Sequence, residues 1–167
     1  VVNVEFGYEQ GIGGPEDKTY GVVQPAEEVV RRAWIVCLAG GYPAYYYTNT
    51  AWDVILPEQI PTGYTYFKNL RNFFEQTEYW KMKPNNGRVE PGHALAHKGE
   101  EYILLQDEPR AFTFNPDTQG VTYTARWYHP FTGEWSQTGE IGDGDSDFKV
   151  PENWGEAPLI LHVKKKE

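Results

Sequence analysis

The spacing of hydrophobic positions changes its period once along this chain. Up to about residue 84 a short apolar run alternates with helical stripes, and beyond Pro84-Asn-Asn-Gly87 the repeat falls to two. Residues 1–5, Val-Val-Asn-Val-Glu, read as a buried strand. A β-branched run that ends in a carboxylate is the pattern of a parallel barrel strand, covered on both faces, with its chemistry at the C-terminal exit. A glycine-rich loop then runs to about Gln24. Pro25 suits the first turn of a helix, where its missing N–H costs nothing. Ala26, Val29, Val30, Ala33, Trp34, Cys37 and Leu38 follow at helical spacing. The opposite face pairs Glu27 with Arg31 and Glu28 with Arg32, acid first and four apart, and Gly40-Gly41 stops the helix.

Tyr42 to Thr48 reads as a second strand, with Pro43 at its start or in a bulge. A second helix is expected from Thr62 to about Gln76, with Tyr66, Phe67, Leu70, Phe73 and Phe74 as its apolar stripe. Two parallel strands cannot close a core, so residues 1–84 are expected to be the last strand–helix units of a (β/α)8 TIM barrel. In residues 85–167 the segments His93–His97, Glu101–Gln106, Ala111–Phe114, Val121–His129, Glu134–Thr138 and Leu159–Val163 are strand candidates, with hairpin turns at Lys98-Gly99 and Thr132-Gly133. Val121, Tyr123, Ala125 and Trp127 share one face; Thr122, Thr124 and Arg126 share the other. This half is expected to be a small antiparallel β-sandwich. The fold class is thus α/β plus all-β. The first residue is Val, with a strand beginning on it, so the chain reads as the C-terminal piece of a larger enzyme.

Composition narrows the function. The net charge of −9 and pI near 4.9 disfavour nucleic acid and anionic membrane surfaces as partners, and no apolar run approaches the ~20 residues that span a bilayer. Aromatics make up 16% of the chain, including six Trp and twelve Tyr. Such rings serve equally as sheet packing and as platforms for sugars. The single Cys37 excludes an internal disulfide and lies on the apolar stripe of the first helix, where a buried, inert thiol is expected. Asp143-Gly-Asp-Ser-Asp147 has alternating acids, but Phe148 and Trp154 stand where a calcium loop needs Gly and Glu, so a solvated turn is expected. His93 and His97 lie about 13 Å apart at the usual strand rise, too far to share an ion. No metal or cofactor is expected.

Several segments, in order, resemble the apiosidase-like glycoside hydrolases. Val2-Asn-Val-Glu5 with Tyr8-Glu9 looks like the family's seventh-strand segment, and Glu27 to Trp34 with Leu38-Ala-Gly-Gly41 resembles the helix after it. Tyr45-Tyr-Tyr-Thr-Asn-Thr-Ala-Trp52 is similar to the eighth-strand exit, and Leu70 to Pro84 to the helix and linker beyond. Arg126-Trp-Tyr-His-Pro-Phe-Thr-Gly133 resembles the hairpin of the family's C-terminal sandwich, a domain sometimes labelled collagen-binding. His129 departs from the Asp common there. The resemblance implies a carbohydrate substrate, a secreted or periplasmic protein, and an acid/base carboxyl on an earlier strand with no counterpart here.

Glycoside hydrolysis needs two carboxyls, normally from different strand ends. Glu5 is the candidate nucleophile; the plainer reading is a strand-end carboxylate satisfied by a helix N-terminus or an Arg. Tyr8 either donates to Glu5, lines the sugar site or packs. Glu9 either binds a sugar hydroxyl or holds an Arg. Tyr46, Tyr47 and Trp52 either stack on sugars or cap the barrel, and Asn49 either binds hydroxyls or turns the chain. The expected protein is therefore the C-terminal part of a glycoside hydrolase, inactive alone and needing an N-terminal barrel portion, present as a separate chain where the two are not joined. The alternative is a non-catalytic carbohydrate- or protein-binding module in residues 85–167. Exposed rows of aromatics would favour binding; Trp127, Trp135 and Trp154 buried between sheets would favour a bracing role.

Overall fold

The computed structural model describes residues 1–3, 6–9, 23–47 and 60–167, with only the backbone at 23, 137 and 138. Its first half contains β1 (Val2–Asn3), β2 (Tyr8–Glu9), β3 (Val23–Gln24), α1 (Ala26–Leu38), β4 (Tyr42–Pro43) and α2 (Thr62–Phe74). β1 and β4 pair in parallel, with Val2 opposite Tyr42 and Asn3 opposite Pro43, and α1 is the crossover between them. A second parallel pair joins β2 to β3, and Glu9 also bridges to Tyr47.

Strand–helix–strand–helix order was expected from the periodicity, and α1 buries each residue of its predicted stripe. Of its two expected ion pairs, Glu28 with Arg32 is present, while Arg31 pairs with Glu28 and not with Glu27. Glu28 takes both Arg31 and Arg32, each at 2.7 Å, while Glu27 accepts a hydrogen bond from the Tyr66 hydroxyl. One carboxylate can serve positions three and four ahead at once, which pairwise counting misses. Gly40, at φ +79°, ends the helix as the left-handed residue of a C-cap. The second strand is shorter than expected. Only Tyr42–Pro43 and the Tyr47 bridge are strand-like among the described residues, because Pro43 has no N–H to extend a ladder.

The second half contributes β5 (Lys83–Pro84), β6 (Val89–Glu90), β7 (His93–His97), β8 (Glu101–Gln106), β9 (Phe112–Phe114), β10 (Tyr123–Tyr128), β11 (Trp135–Ile141), β12 (Ser146–Phe148) and β13 (Leu159–Lys165). Six of these form an antiparallel sheet in the order β11-β10-β13-β8-β7-β5; β12-β9-β6 form a second, smaller sheet. The two sheets enclose one core. Tyr102, Leu104, Tyr123, Ala125, Trp127, Leu161 and Val163 of the large sheet meet Phe112, Phe114 and Phe148 of the small one. The odd-numbered face of β10 is the buried one here, as the alternation at Val121–Trp127 predicts.

The other face of the large sheet is buried too. Ile103, Leu105, Tyr128 and Ile160 pack against Val30, Trp34, Leu38, Leu70, Phe73 and Phe74 of the helices. Antiparallel sheets commonly leave one face to water, but here all six residues of β8 are buried. The change of architecture near residue 84 is therefore not a gap between bodies, since Lys83–Pro84 already belongs to the sheet. Trp127 and Trp154 lie in the inter-sheet core with their rings 5.8 Å apart. Trp135, the third indole whose burial between the sheets would favour a bracing role, faces the helices, stacked on Phe73 at 5.3 Å.

Polar groups pin this interface. The Tyr128 hydroxyl donates to the Asn69 carbonyl (2.8 Å), and Asn69 Nδ2 donates to the Phe131 carbonyl (2.9 Å). Gly133, at φ +76°, must be Gly: a Cβ there would sit 2.8 Å from Asn69 Oδ1. His129 turns that hairpin, its Nδ1 accepting from the amides of Phe131 and Thr132 at 3.3 Å. The acids near residue 145 make cross-strand bonds, Asp145 to Asn115 and Asp147 to the Thr113 hydroxyl. Cys37 is buried, which pushes its thiol up to about 12 and leaves it unreactive at neutral pH.

The most deeply buried polar pair is Glu101 with His162, both 2% exposed, at 2.6 Å. Glu101 also accepts from the Glu78 backbone N–H, and Arg126, stacked over Trp135, reaches His162 Nδ1. Burial pushes the Glu101 carboxyl up, but the His162 and Glu78 hydrogen bonds outweigh it and hold the group below its ordinary 4.5. A carboxylate lowered on folding stabilises the fold above its unfolded pKa and loses that contribution as pH drops through the folded value. Urea midpoints should therefore fall between about pH 5 and pH 3 in the wild type, and Glu101→Gln should flatten that fall. Separately, Trp127→Ala should cost about 3–5 kcal/mol in denaturant unfolding; a loss under about 1 kcal/mol would mean the indole is not core.

Candidate active site

The exits of the parallel strands converge on one carboxylate. β1 ends at Asn3, and four residues after the expected strand terminus the chain reaches Tyr8 and Glu9. The Glu9 N–H donates to the Tyr46 carbonyl (3.0 Å), which sets β2 beside the β4 exit. The Glu9 side chain is 3% exposed. Its Oε2 accepts from the Tyr45 hydroxyl at 2.5 Å, and its Oε1 accepts from the Gly63 N–H at 3.0 Å in the first turn of α2. α2 follows Pro61, which offers no side-chain cap, so a carboxylate from 54 residues earlier takes that place. Behind it, Arg32 donates to the Phe6 carbonyl (3.3 Å) while remaining paired with Glu28.

Aromatic rings surround this junction. Tyr8 and Tyr46 lie 5.7 Å apart between centroids, Tyr45 and Tyr47 are stacked at 6.0 Å, and Tyr45 meets Phe67 at 4.6 Å. Tyr46 is the exposed member of the set; Tyr8 and Tyr47 are half-buried. The structure thus brings together Tyr8, Glu9, Tyr46 and Tyr47 from the expected site. Glu5, Asn49 and Trp52 lie outside the described residues. Glu9 spends both oxygens on protein donors, a phenol and an amide, and neither a free oxygen nor an Arg partner is seen for it among the described residues.

Sequence reasoning missed Tyr45 and Gly63. A signal for the second existed: Gly inside a helix costs about 1 kcal/mol relative to Ala, so Gly63 in the first turn of a predicted helix needed a reason. A cavity of about 650 Å³ opens between the C-terminal end of α1, β4 and α2, lined by Tyr42, Tyr45, Phe67, Phe74, Tyr79 and Trp80 among others. It shares Tyr45 with the junction, but its lining includes none of Tyr8, Glu9, Tyr46 or Tyr47.

Neither a protein-family profile nor a curated protein matches this chain. Solved structures do. One described as a glycoside hydrolase superposes with a TM-score of 0.71 at 17% identity, over 86% of this chain and 37% of that one. A glycoside hydrolase family 5 structure from Bacteroides vulgatus gives 0.70 at 13% identity, over 86% and 36%. A further structure from the same organism gives 0.65 at 10% identity and spans 99% of this chain but 36% of its own. The chain shares the fold of part of a glycoside hydrolase. It spans little more than a third of the length of these structures.

Tyr45 carries the clearest electrostatic signature of the junction. Burial, and then the hydrogen bond to the Glu9 carboxylate, push its phenol well above the ordinary tyrosine range. In an absorbance titration near 295 nm, Tyr45→Phe should therefore leave the number of tyrosines ionising below about pH 11 unchanged. Loss of one titrating phenol in that range would show that Tyr45 is exposed.

Proposed function

We propose that this chain forms the last strand–helix units of a glycoside hydrolase barrel, with Glu5 as nucleophile and the β-sandwich as a brace. The observation that carries the reading is the pairing of β1 with β4 in parallel across α1, on a fold shared with solved glycoside hydrolases. A carboxylate two residues beyond Asn3 on such a strand leaves at the end where barrel enzymes place their chemistry. The finer assignment is to the apiosidase-like hydrolases, and rests on the resemblance of the Asn3–Glu9 and Tyr45–Trp52 segments.

In this reading Glu5 attacks the anomeric carbon to give a glycosyl-enzyme intermediate. A second carboxyl, about 5–5.5 Å away, protonates the leaving oxygen and later activates water. That second group belongs to another strand of the barrel. Tyr46 and Tyr47, with Trp52 and Asn49 beyond them, supply faces and hydrogen bonds for the sugar at the mouth. Partners are the carbohydrate substrate and the remaining barrel, and the protein works outside the cytoplasm. The binding-module reading has less behind it: Trp127 and Trp154 are core residues, and Trp135 is spent on the helix interface.

The test is genetic first and kinetic second. The gene upstream of the Val1 codon should encode six further strand–helix units with a carboxylate at a strand exit. In that longer protein Glu5→Gln should lower kcat by about a thousandfold or more. The 167-residue chain by itself should turn over neither aryl glycosides nor plant polysaccharides. Turnover by it that disappears with Glu5→Gln would defeat the two-strand arrangement, and an upstream sequence without strand–helix repeats would defeat the enzyme reading.

A further inference from the structure

We infer that Glu9 is a positioning residue: it binds no sugar but fastens the mouth of the parallel strands to the N-terminus of α2. This deepens the proposed site and rests on that reading only for its consequence, since the fastening itself is a property of this chain.

Four contacts meet at this residue. Its backbone N–H holds the Tyr46 carbonyl, its backbone bridges to Tyr47, its Oε2 takes the Tyr45 phenol, and its Oε1 takes the Gly63 amide. Three consecutive residues of the β4 exit and the first turn of α2 are thus fixed by one side chain and its backbone. The fit is tight from the helix side. A Cβ on Gly63 would fall 1.9 Å from Glu9 Oε2 and 2.9 Å from its Cδ, so the carboxylate occupies the space that a side chain at position 63 would need. That is the physical reason for a helix-weakening Gly at this position.

The charge is answered by the helix. Amides at an α-helix N-terminus carry partial positive charge and favour an anion, by up to about 2 kcal/mol in partly buried geometry. Among the described residues, the phenols of Tyr45 and Tyr66 are the ionisable groups seen to interact with the carboxylate, and Tyr66 also donates to Glu27. The side chain is 3% exposed and each oxygen already accepts from a protein donor, so among the described residues it is not open to a substrate. What it sets instead is where Tyr46 and Tyr47 leave β4, and therefore the surface on which a sugar would stack.

Nuclear magnetic resonance on the 167-residue chain tests this directly. A scalar coupling across the hydrogen bond, from the Gly63 amide nitrogen to the Glu9 side-chain carboxyl carbon, should be detectable; its absence overturns the inference. Glu9→Gln keeps an acceptor and should keep the Gly63 amide protected from exchange. Glu9→Met keeps the reach but not the acceptor. It should speed Gly63 exchange at least tenfold and shift the ring resonances of Tyr45, Tyr46 and Tyr47, with the Trp127 and Trp154 indole signals in place. Unchanged exchange and unchanged rings in Glu9→Met would make Glu9 a space-filler and sink the positioning role. Should Glu9→Met not fold, the coupling and Glu9→Gln decide, with loss of Gly63 protection in a folded Gln variant counting against it. None of these readouts depends on catalysis, so an inactive barrel would leave them intact.

Discussion

The large sheet is buried on both faces, and the rest of the molecule is arranged around that constraint. β8 and β13 stand at its centre. Their side chains alternate between a sheet-on-sheet core and a helix-on-sheet core, so Leu104 and Leu161 face one way and Ile103 and Ile160 the other. Removing water from apolar surface is the main favourable term in folding, and a strand that does so on both faces contributes twice per length of backbone. The consequence is that α1 and α2 cannot leave the sheet without exposing Leu105, Tyr128 and Ile160. The two sheets and the two helices therefore share their buried surfaces and fold together.

Burying both faces leaves a difficulty where polar side chains fall on the inner rows. Glu101 and His162 are diagonal neighbours on adjacent strands, Glu101 opposite Lys164 and His162 opposite Ile103, on the helix-facing side. An isolated charge there would be costly, and the pair is tolerated because each atom finds a partner: the Glu78 amide, the imidazole and the Arg126 guanidinium. Replacing such a pair with apolar side chains is often neutral for stability. What it supplies here is direction, because the Glu78 amide comes from the turn just after α2. Only one placement of that turn satisfies the carboxylate, so the pair fixes how the helix hands over to the sheet.

Much of this was legible in the sequence because it repeats. The α1 stripe and the longer strands β7, β8, β10, β11 and β13 follow from spacing alone, since a buried face forces apolar residues at every 3.6 or every second position. Elements of two or three residues, such as β5, β6 and β12, give periodicity nothing to act on. The pairing of Glu28 with two arginines was out of reach because rules of spacing consider partners singly. Trp135 faces the helices and not the inter-sheet core because β10 and β11 slip register between Ala125 and Arg126; a bulge turns the side chains beyond it over, and spacing within one strand does not reveal it. Glu9 shows the deepest limit. Residue type and position suggested a sugar ligand or an Arg partner, whereas its partners are a phenol 36 residues on and an amide 54 residues on. Nothing local to Glu9 encodes either, and the only trace is an ill-placed Gly63.

That limit bears on how an active site can be inferred from such a chain. Carboxylates at strand exits are the natural candidates for glycosidic chemistry; the sequence offers two within five residues, Glu5 and Glu9, and chemistry needs one that stays accessible. Glu9 is 3% exposed, and each of its oxygens accepts from a group of the same fold. Enclosure of this kind is what a catalytic carboxylate cannot have, because a nucleophile must reach the anomeric carbon, and it is what a positioning group requires. Among the described residues, Glu9 is therefore a group that holds the neighbouring tyrosines still and not the nucleophile that the proposed reading requires. A site whose walls are fixed before substrate arrives does not have to order them during the reaction, which is where most of the advantage of preorganisation lies.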